Sequence, residues 1–321
     1  MRRKIKYGDQ ARAFPAGDAG GDRPNPPKCG RWLPYTERIR LKKQAQRRKR
    51  REGQRTTRKL RVGTLNVGTM TGRGREVVDM MERRKINILF VQETKWKGEK
   101  AREMGNGYKM YYVGHEAKRN GVGIVLDPEM KEGVLQVHRK SDRVMWVKME
   151  LVKEVVNIVC AYAPQVGCDA EEKEHFWKTM GEVMLEIPGT EKVWIGADLN
   201  GHIGGGVDGY GSNIGKFRFG TQNKEGDKIL EFVAANNLAI TNTFFQKSDS
   251  RRITYTSGGV NSQVDYIICR RSEQKRVQGC KVMPGEAVAK QHKVVTCTAT
   301  VKGEKTKKRE RTSKTRCWKL N

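Results

Sequence analysis

INILFVQE, residues 86–93, is an unbroken apolar run that stops at a carboxylate. A strand with one wet face alternates apolar and polar side chains. A run apolar on both faces suits a strand covered on both sides, as in layered α/β proteins. The same ending recurs along the chain. LRVGTLNV (60–67) closes near Asn66, VVNIVCAYAP (155–164) on Tyr162 and Pro164, and VWIGADLN (193–200) on Asp198 and Asn200. QVDYIIC (263–269) carries Asp265, and GVGIVL (121–126), RVMWVKMELV (143–152), LAITN (238–242), RITYT (252–256) and VVTCTATV (294–301) read as further strands. Helical spacing appears over 75–84 through Val77, Val78, Met80 and Met81, and again over 169–187 through Phe176, Met180, Val183, Met184 and Ile187. Asp169 is placed to cap the second of these with Glu172 three residues on. A third helix is expected over 227–236. Strands alternate with helices and also follow one another directly. This order predicts an α/β protein whose sheets are covered by helices on the outside.

Charge separates this core, 61–301, from its flanks. The chain of 321 residues carries a net charge of +29; residues 1–60 hold +15 of it and residues 302–321 hold +7. Only 36% of residues are hydrophobic, a low share for a wholly globular chain, so the flanks are expected to be a disordered basic arm (1–60) and a basic C-terminal tail (302–321). Residues 8–34 read as a linker. Residues 37–53 could form a basic helix, with Arg47, Arg48, Lys49, Arg50 and Arg51 as a phosphate-binding or nuclear-import segment. A surplus of this sign suits a polyanion, with nucleic acid first and an anionic membrane surface second. No apolar run approaches 18 residues and the N-terminus has no apolar signal core, so neither a membrane span nor secretion is expected. The seven cysteines are scattered without a C-x-x-C pair, which argues against a disulfide framework or a structural zinc and for a reducing compartment.

Rigid strand ends are where layered proteins hold catalytic groups. The candidates are Asn66, Glu93, Tyr162, Asp198, Asn200, Asp265 and a late His292. Each has an ordinary reading alone: a surface Glu, an Asp-x-Asn turn, a packed Tyr, a structural His. A buried carboxylate at Glu93 needs a cation, and oxygen ligands favour Mg²⁺ or Mn²⁺. The glycine-rich loop 201–220 faces the substrate or is simply flexible.

Taken together and in order, TLN (64–66), QET (92–94), YAP (162–164), GADLN (196–200), VDYI (264–267) and QH (291–292) resemble the signatures of the endonuclease/exonuclease/phosphatase superfamily. Within it, LRVGTLNVGTMTGRGREVV, QETKWKG, NNLAITNTFF and the late QH resemble RTE-type non-LTR retrotransposon endonuclease domains, the domain shared by craniofacial development protein 2-like proteins. The closing RCWKL (316–320) resembles the stretch that leads from that endonuclease into a reverse transcriptase. The resemblance covers 61–301. It implies a four-layer α/β-sandwich with its site at one end. It implies a divalent-metal-dependent phosphodiesterase that nicks DNA, leaving a 3′-hydroxyl, with DNA as partner, RNA as a further candidate, no membrane, and action in the nucleus after cytoplasmic synthesis. It also implies roles: Glu93 binding Mg²⁺ or Mn²⁺ with Asn66 beside it, and Asp198 activating the attacking water or protonating the leaving oxygen. Asn200 would hold the water or phosphate, Tyr162 the phosphate, and His292, oriented by Asp265, would face the scissile phosphate. Two positions where many members carry an acid are Gly68 and Gln291 here, and both remove a carboxylate from the metal neighbourhood. The alternatives are a catalytically weak or inert, host-retained DNA- or chromatin-binding protein, and an abasic-site repair endonuclease.

Overall fold

The computed structural model describes residues 43–44, 57–205 and 211–302. The chain divides into two units, Met1–Arg51 and Glu52–Asn321. Of the first, only Lys43 and Gln44 are described, both exposed and helical. The linker over 8–34, the rest of the basic arm up to residue 56 and the tail after Lys302 lie outside the described residues.

In the second unit, one sheet has seven strands in the order β14 (Val277–Val282), β15 (Val295–Lys302), β1 (Thr57–Asn66), β2 (Ile88–Gln92), β5 (Val122–Leu126), β4 (Tyr108–Gly114), β3 (Gly98–Gly105). The other has six: β10 (Leu238–Ile240), β13 (Asp265–Arg270), β9 (Lys192–Asp198), β8 (Glu154–Tyr162), β7 (Val144–Leu151), β6 (Val134–Ser141). A short hairpin, β11 (Tyr255–Ser257) and β12 (Val260–Ser262), stands apart from both. The longer helices are α1 (Gly74–Arg84), α2 (Ala170–Glu186) and α3 (Lys224–Ala235).

Side-chain alternation along the strands builds three cores. Leu60, Val62, Ile88 and Phe90 of one sheet meet Met145, Val147, Ile158 and Trp194 of the other. The opposite face of β2, Leu89 and Val91, packs under Val77, Met80 and Met81 of α1. Val193, Ile195 and Ala197 of β9 pack under Phe176, Met180, Ile229 and Val233 of α2 and α3. The layers are therefore helix, sheet, sheet, helix: the four-layer sandwich expected from the motifs. Gly196 marks the close approach of the sheets. A Cβ there would lie 2.7 Å from the Cβ of the fully buried Phe90 and overlap its ring.

Several elements differ from the sequence reading. β3, β6 and β14 were not expected; they edge their sheets and carry charged, exposed residues, as edge strands do. β4, in the sheet interior, was also missed. β1 begins at Thr57, not Leu60, because its ladder with β15 starts at the pair Thr57–Lys302. RITYT contributes only its last two residues to the hairpin strand β11. α3 begins at Lys224, three residues before the predicted start, where Asn223 caps it by accepting from the Gly226 N–H. Asp169 occupies the N-cap position of α2 but makes no capping bond, and Glu172 is drawn instead to the guanidinium of Arg143. A charge-assisted pair at a buried Arg outcompetes a solvated cap.

Candidate active site

Topology brings the strand ends together. β1 and β2 run parallel with Asn66 beside Gln92, and β8 and β9 run parallel with Tyr162 beside Asp198. β13 runs antiparallel to β9, so its first residue, Asp265, pairs with Asp198, the last of β9. Five strand ends thus meet at one end of the sandwich. Beneath them lies a buried polar belt. The Gln92 amide donates to Thr64 Oγ1 (3.1 Å) and Gly196 O (3.2 Å), joining the two sheets.

Glu93 follows β2 with a left-handed backbone, φ 52°. That conformation costs a non-glycine residue roughly 1–2 kcal/mol. Neighbouring bonds hold it: Val67 N–H to Gln92 O, Thr94 N–H to Gly121 O and Lys95 N–H to Asn120 O. The Asn66 amide group donates to Glu93 Oε1 (2.8 Å) and to Asp198 Oδ2 (2.9 Å), bridging the sheets, while its Oδ1 accepts from Gly68 N–H. The Tyr162 hydroxyl also donates to Glu93 Oε1 (3.0 Å), and Lys95 Nζ lies 3.1 Å from Glu93 Oε2. Burial pushes the Glu93 carboxyl up, but the bonds from Asn66, Lys95 and Tyr162 outweigh it and leave the group below the ordinary range. Tyr162 is pushed up by burial and by the Glu93 and Asp198 carboxylates, so it stays a donor.

Asp198 is 1% exposed. Burial and then the Asp265 carboxylate raise it to about 7, against His292 and the bond from Asn66. Its Oδ1 accepts from the Asn200 N–H, and the Asn200 amide donates to Ala163 O (2.8 Å). His292 sits on the segment before β15. Its Nδ1 is 3.0 Å from Asp265 Oδ2, and its Nε2 is 3.8 Å from Asp198 Oδ2. Burial presses the ring toward neutrality, yet Asp265, with Asp198 and Glu93 behind it, raises it to about 9. The backbone around His292 is tied to the hairpin through Lys293 N–H to Thr254 O and Thr256 N–H to Gln291 O. Thr254 Oγ1 in turn accepts from the Asp265 N–H, so one threonine anchors both halves of the pair. Asp265 Oδ1 is buried and has no partner among the described residues.

All seven residues singled out in the sequence meet here. A cleft of about 360 Å³ is lined by Glu93, Asp198, Asn200 and His292, with Gln165, His202 and Tyr255 around them. A larger hollow of about 510 Å³ lies between α2 and α3 but contains none of the seven. The sequence reading missed Lys95, Arg143, Gln165, Thr254 and Tyr255. Lys95 and Gln165 directly extend the QET and YAP motifs, so adjacency could have flagged them. Arg143 and Thr254 carry no local signal. Of the loop 201–220, residues 206–210 lie outside the described residues, and His202 lines the cleft.

The donors suit a hard divalent ion. Such ions are commonly held by one or two carboxylates with water and substrate phosphate completing the shell. Glu93 supplies one carboxylate, and the Asn66 side chain is beside it, with its NH₂ toward Glu93 and its Oδ1 on the Gly68 N–H. Gly68 leaves open space where a side chain would begin, with nothing within 4 Å of a Cβ, and the Gln291 amide donates to Ser257 Oγ. Asp198, Asp265 and His292 offer three further ligand atoms within 4.8 Å of one another, although Asp265 and His292 already engage each other.

No family model matches the chain. Over 239 residues, 73% of its length, it is 31% identical to craniofacial development protein 2 of Bos taurus, covering 40% of that protein. The chain thus spans well under half the length of this curated relative. Among solved structures, it resembles the AP endonuclease LMAP from Leishmania major, with TM-score 0.59 and 14% identity over 75% of this chain and 88% of that one. It likewise resembles the endonuclease domain of TRAS1, a telomere-specific non-LTR retrotransposon, with TM-score 0.52 and 14% identity over 75% of this chain and 98% of that one. At these identities the likeness is one of fold, and it is the fold the six motifs predicted.

Proposed function

The chain carries the endonuclease/exonuclease/phosphatase fold and is homologous to craniofacial development protein 2, and from that premise we propose that it is a divalent-metal-dependent phosphodiesterase that nicks DNA and leaves a 3′-hydroxyl. The observation that carries the reading is the line Asp265–His292–Asp198, facing Glu93 across the Asn66 bridge. Phosphodiester hydrolysis needs a nucleophilic water, positive charge on the phosphoryl oxygens and help for the leaving oxygen. A Mg²⁺ or Mn²⁺ ion, held by Glu93 with Asn66 beside it, would supply Lewis acidity toward the phosphate. Asp198, poised near neutrality, takes the proton of the attacking water or returns one to the leaving oxygen. Asn200, set against Asp198, holds the water or phosphate. His292, kept charged by Asp265, donates to the scissile phosphate through Nε2, and Tyr162 donates its hydroxyl to the same group.

DNA is the proposed partner. The basic arm adds sequence-independent phosphate contacts, and its run at 47–51 is assigned to nuclear import. Supercoiled plasmid incubated with Mg²⁺, with and without EDTA, tests the reading; a polymerase then extends the nick if its end is a 3′-hydroxyl. Nicking that survives EDTA, or none at all, refutes it. One observation favours a second reading, a DNA-binding protein of little activity. With Gly68 and Gln291 in place of acids, Glu93 and Asp198 are the carboxylates left beside Asn66, and Lys95 already lies against the second oxygen of Glu93. Full DNA affinity without nicking would support that reading.

A further inference from the structure

Arg143 precedes β7 and is 8% exposed. Burying a guanidinium is costly unless its donors are satisfied. Its Nε and Nη2 donate to Glu172 Oε1 at 3.2 and 2.6 Å. Three further contacts converge on one residue. Nη1 donates to Tyr162 O (3.3 Å), the guanidinium lies 5.0 Å over the Tyr162 ring, and the Arg143 carbonyl accepts the Tyr162 N–H (2.9 Å). Tyr162 is therefore gripped at its backbone nitrogen, its carbonyl and its ring face. Its hydroxyl bonds two residues that line the cleft, donating to Glu93 and accepting from the Gln165 amide (3.4 Å).

A phenolic oxygen stands roughly 6.5 Å from its own Cα, so a swing of about 10° carries it about 1 Å, twice what a working site tolerates. A ring on the last residue of a strand needs something to stop that swing. An arginine can do this where a lysine cannot, because its flat fork bonds Glu172 with one edge while its plane stacks on the phenol.

We infer that Arg143, locked by Glu172 of α2, is a positioning residue that fixes the place of the Tyr162 hydroxyl, whose single proton goes to Glu93 here and would turn to the phosphate entering the cleft. Its effect on turnover rests on the nuclease reading; its grip on Tyr162 does not. The Glu172–Arg143–Tyr162–Glu93 chain thereby links the outer helix layer to the reacting end of the sandwich.

The test uses the full chain and has two arms. In the first, tyrosines carry carbon-13 at the ζ position, and the Tyr162 signal is identified by its loss in Tyr162→Phe. Arg143→Lys should shift or broaden that signal and leave those of Tyr108 and Tyr266 in place. An unmoved Tyr162 signal overturns the inference, whether or not the protein cuts DNA. The second arm is single-turnover nicking at saturating DNA. Arg143→Lys should slow it about 10–100-fold, the usual loss on removing a supporting partner, with DNA affinity changed less than about twofold. The Arg143→Lys, Tyr162→Phe double variant should be no slower than Tyr162→Phe alone. Losses that multiply would overturn the assignment. Should Arg143→Lys melt far below wild type, Glu172→Gln loosens the guanidinium without deleting it and should move the same signal in the same direction. A wild-type protein that fails to nick defeats the nuclease reading, while the first arm still decides the positioning role.

Discussion

Replacing Asp265 by Asn removes one charge from a fully buried side chain and keeps its shape, which isolates what that carboxylate does for His292. The ring sits at about 9 instead of 6.5. At 1.36 kcal/mol per pH unit, this corresponds to about 3 kcal/mol in favour of the charged ring. Among the influences that raise it, Asp265 leads, through its charge and its hydrogen bond to Nδ1. An opposite charge at that distance commonly moves a titration by one to three pH units. In Asp265→Asn the ring should therefore titrate roughly one to three pH units lower, back toward the ordinary histidine value. The assay is an NMR titration of the His292 ring in metal-free protein, with the signal assigned by loss in His292→Gln. The stability consequence has a definite sign. A histidine whose folded pKa is raised contributes stability that is full below 6.5 and lost as pH climbs through about 9. Wild-type Tm should fall across that window, and Asp265→Asn should flatten the fall. The alkaline limb of nicking should move toward neutrality in the same variant. A His292 midpoint unmoved by Asp265→Asn would refute the pairing as the source of the charged ring.

Three further outcomes are expected. Glu93→Gln should weaken Mn²⁺ binding measured by titration, whereas Asp198→Asn should spare it and slow single-turnover nicking by roughly 10²–10⁴-fold, the range for a lost general base; wild-type rates in both would remove these residues from the chemistry. Gly196→Ala should force the sheets apart at Phe90 and destabilise by about 1–3 kcal/mol, lowering Tm by roughly 2–12 °C, with Phe90→Leu restoring part of the loss; an unchanged Tm would contradict the packing. Deleting residues 1–56, which stops short of β1, should flatten the salt dependence of duplex binding, each lost phosphate contact contributing about 0.9 to the slope, and leave the chemical step nearly intact; equal slopes would show that the arm does not touch DNA.

Much of the fold was legible in the chain because burial leaves a direct trace in composition. ILFV at 88–91, NIVCAY at 157–162 and WIGAD at 194–198 are apolar on both faces, and only a strand sandwiched between layers needs that. The polar residues that end such runs were legible for the same reason: a carboxylate at the rim of an apolar strand is costly unless it has work or a partner. The edge strands β3 and β6 left no such trace, since a half-solvated edge is built from the same charged residues as a loop. The site itself depends on register, which a linear pattern does not encode. That Asp265 stands directly beside Asp198 follows from the antiparallel pairing of β13 with β9, and that Asn66 reaches both Glu93 and Asp198 follows from the stacking of two sheets pressed together at Gly196. Arg143 is the clearest case. In the chain it reads as the charged start of a further strand; in the fold it is buried against Tyr162 because Glu172, 29 residues further on, arrives on a helix to neutralise it. Residue types and the ends of apolar runs determine which groups are placed at the rim, and long-range packing alone decides which of them face one another.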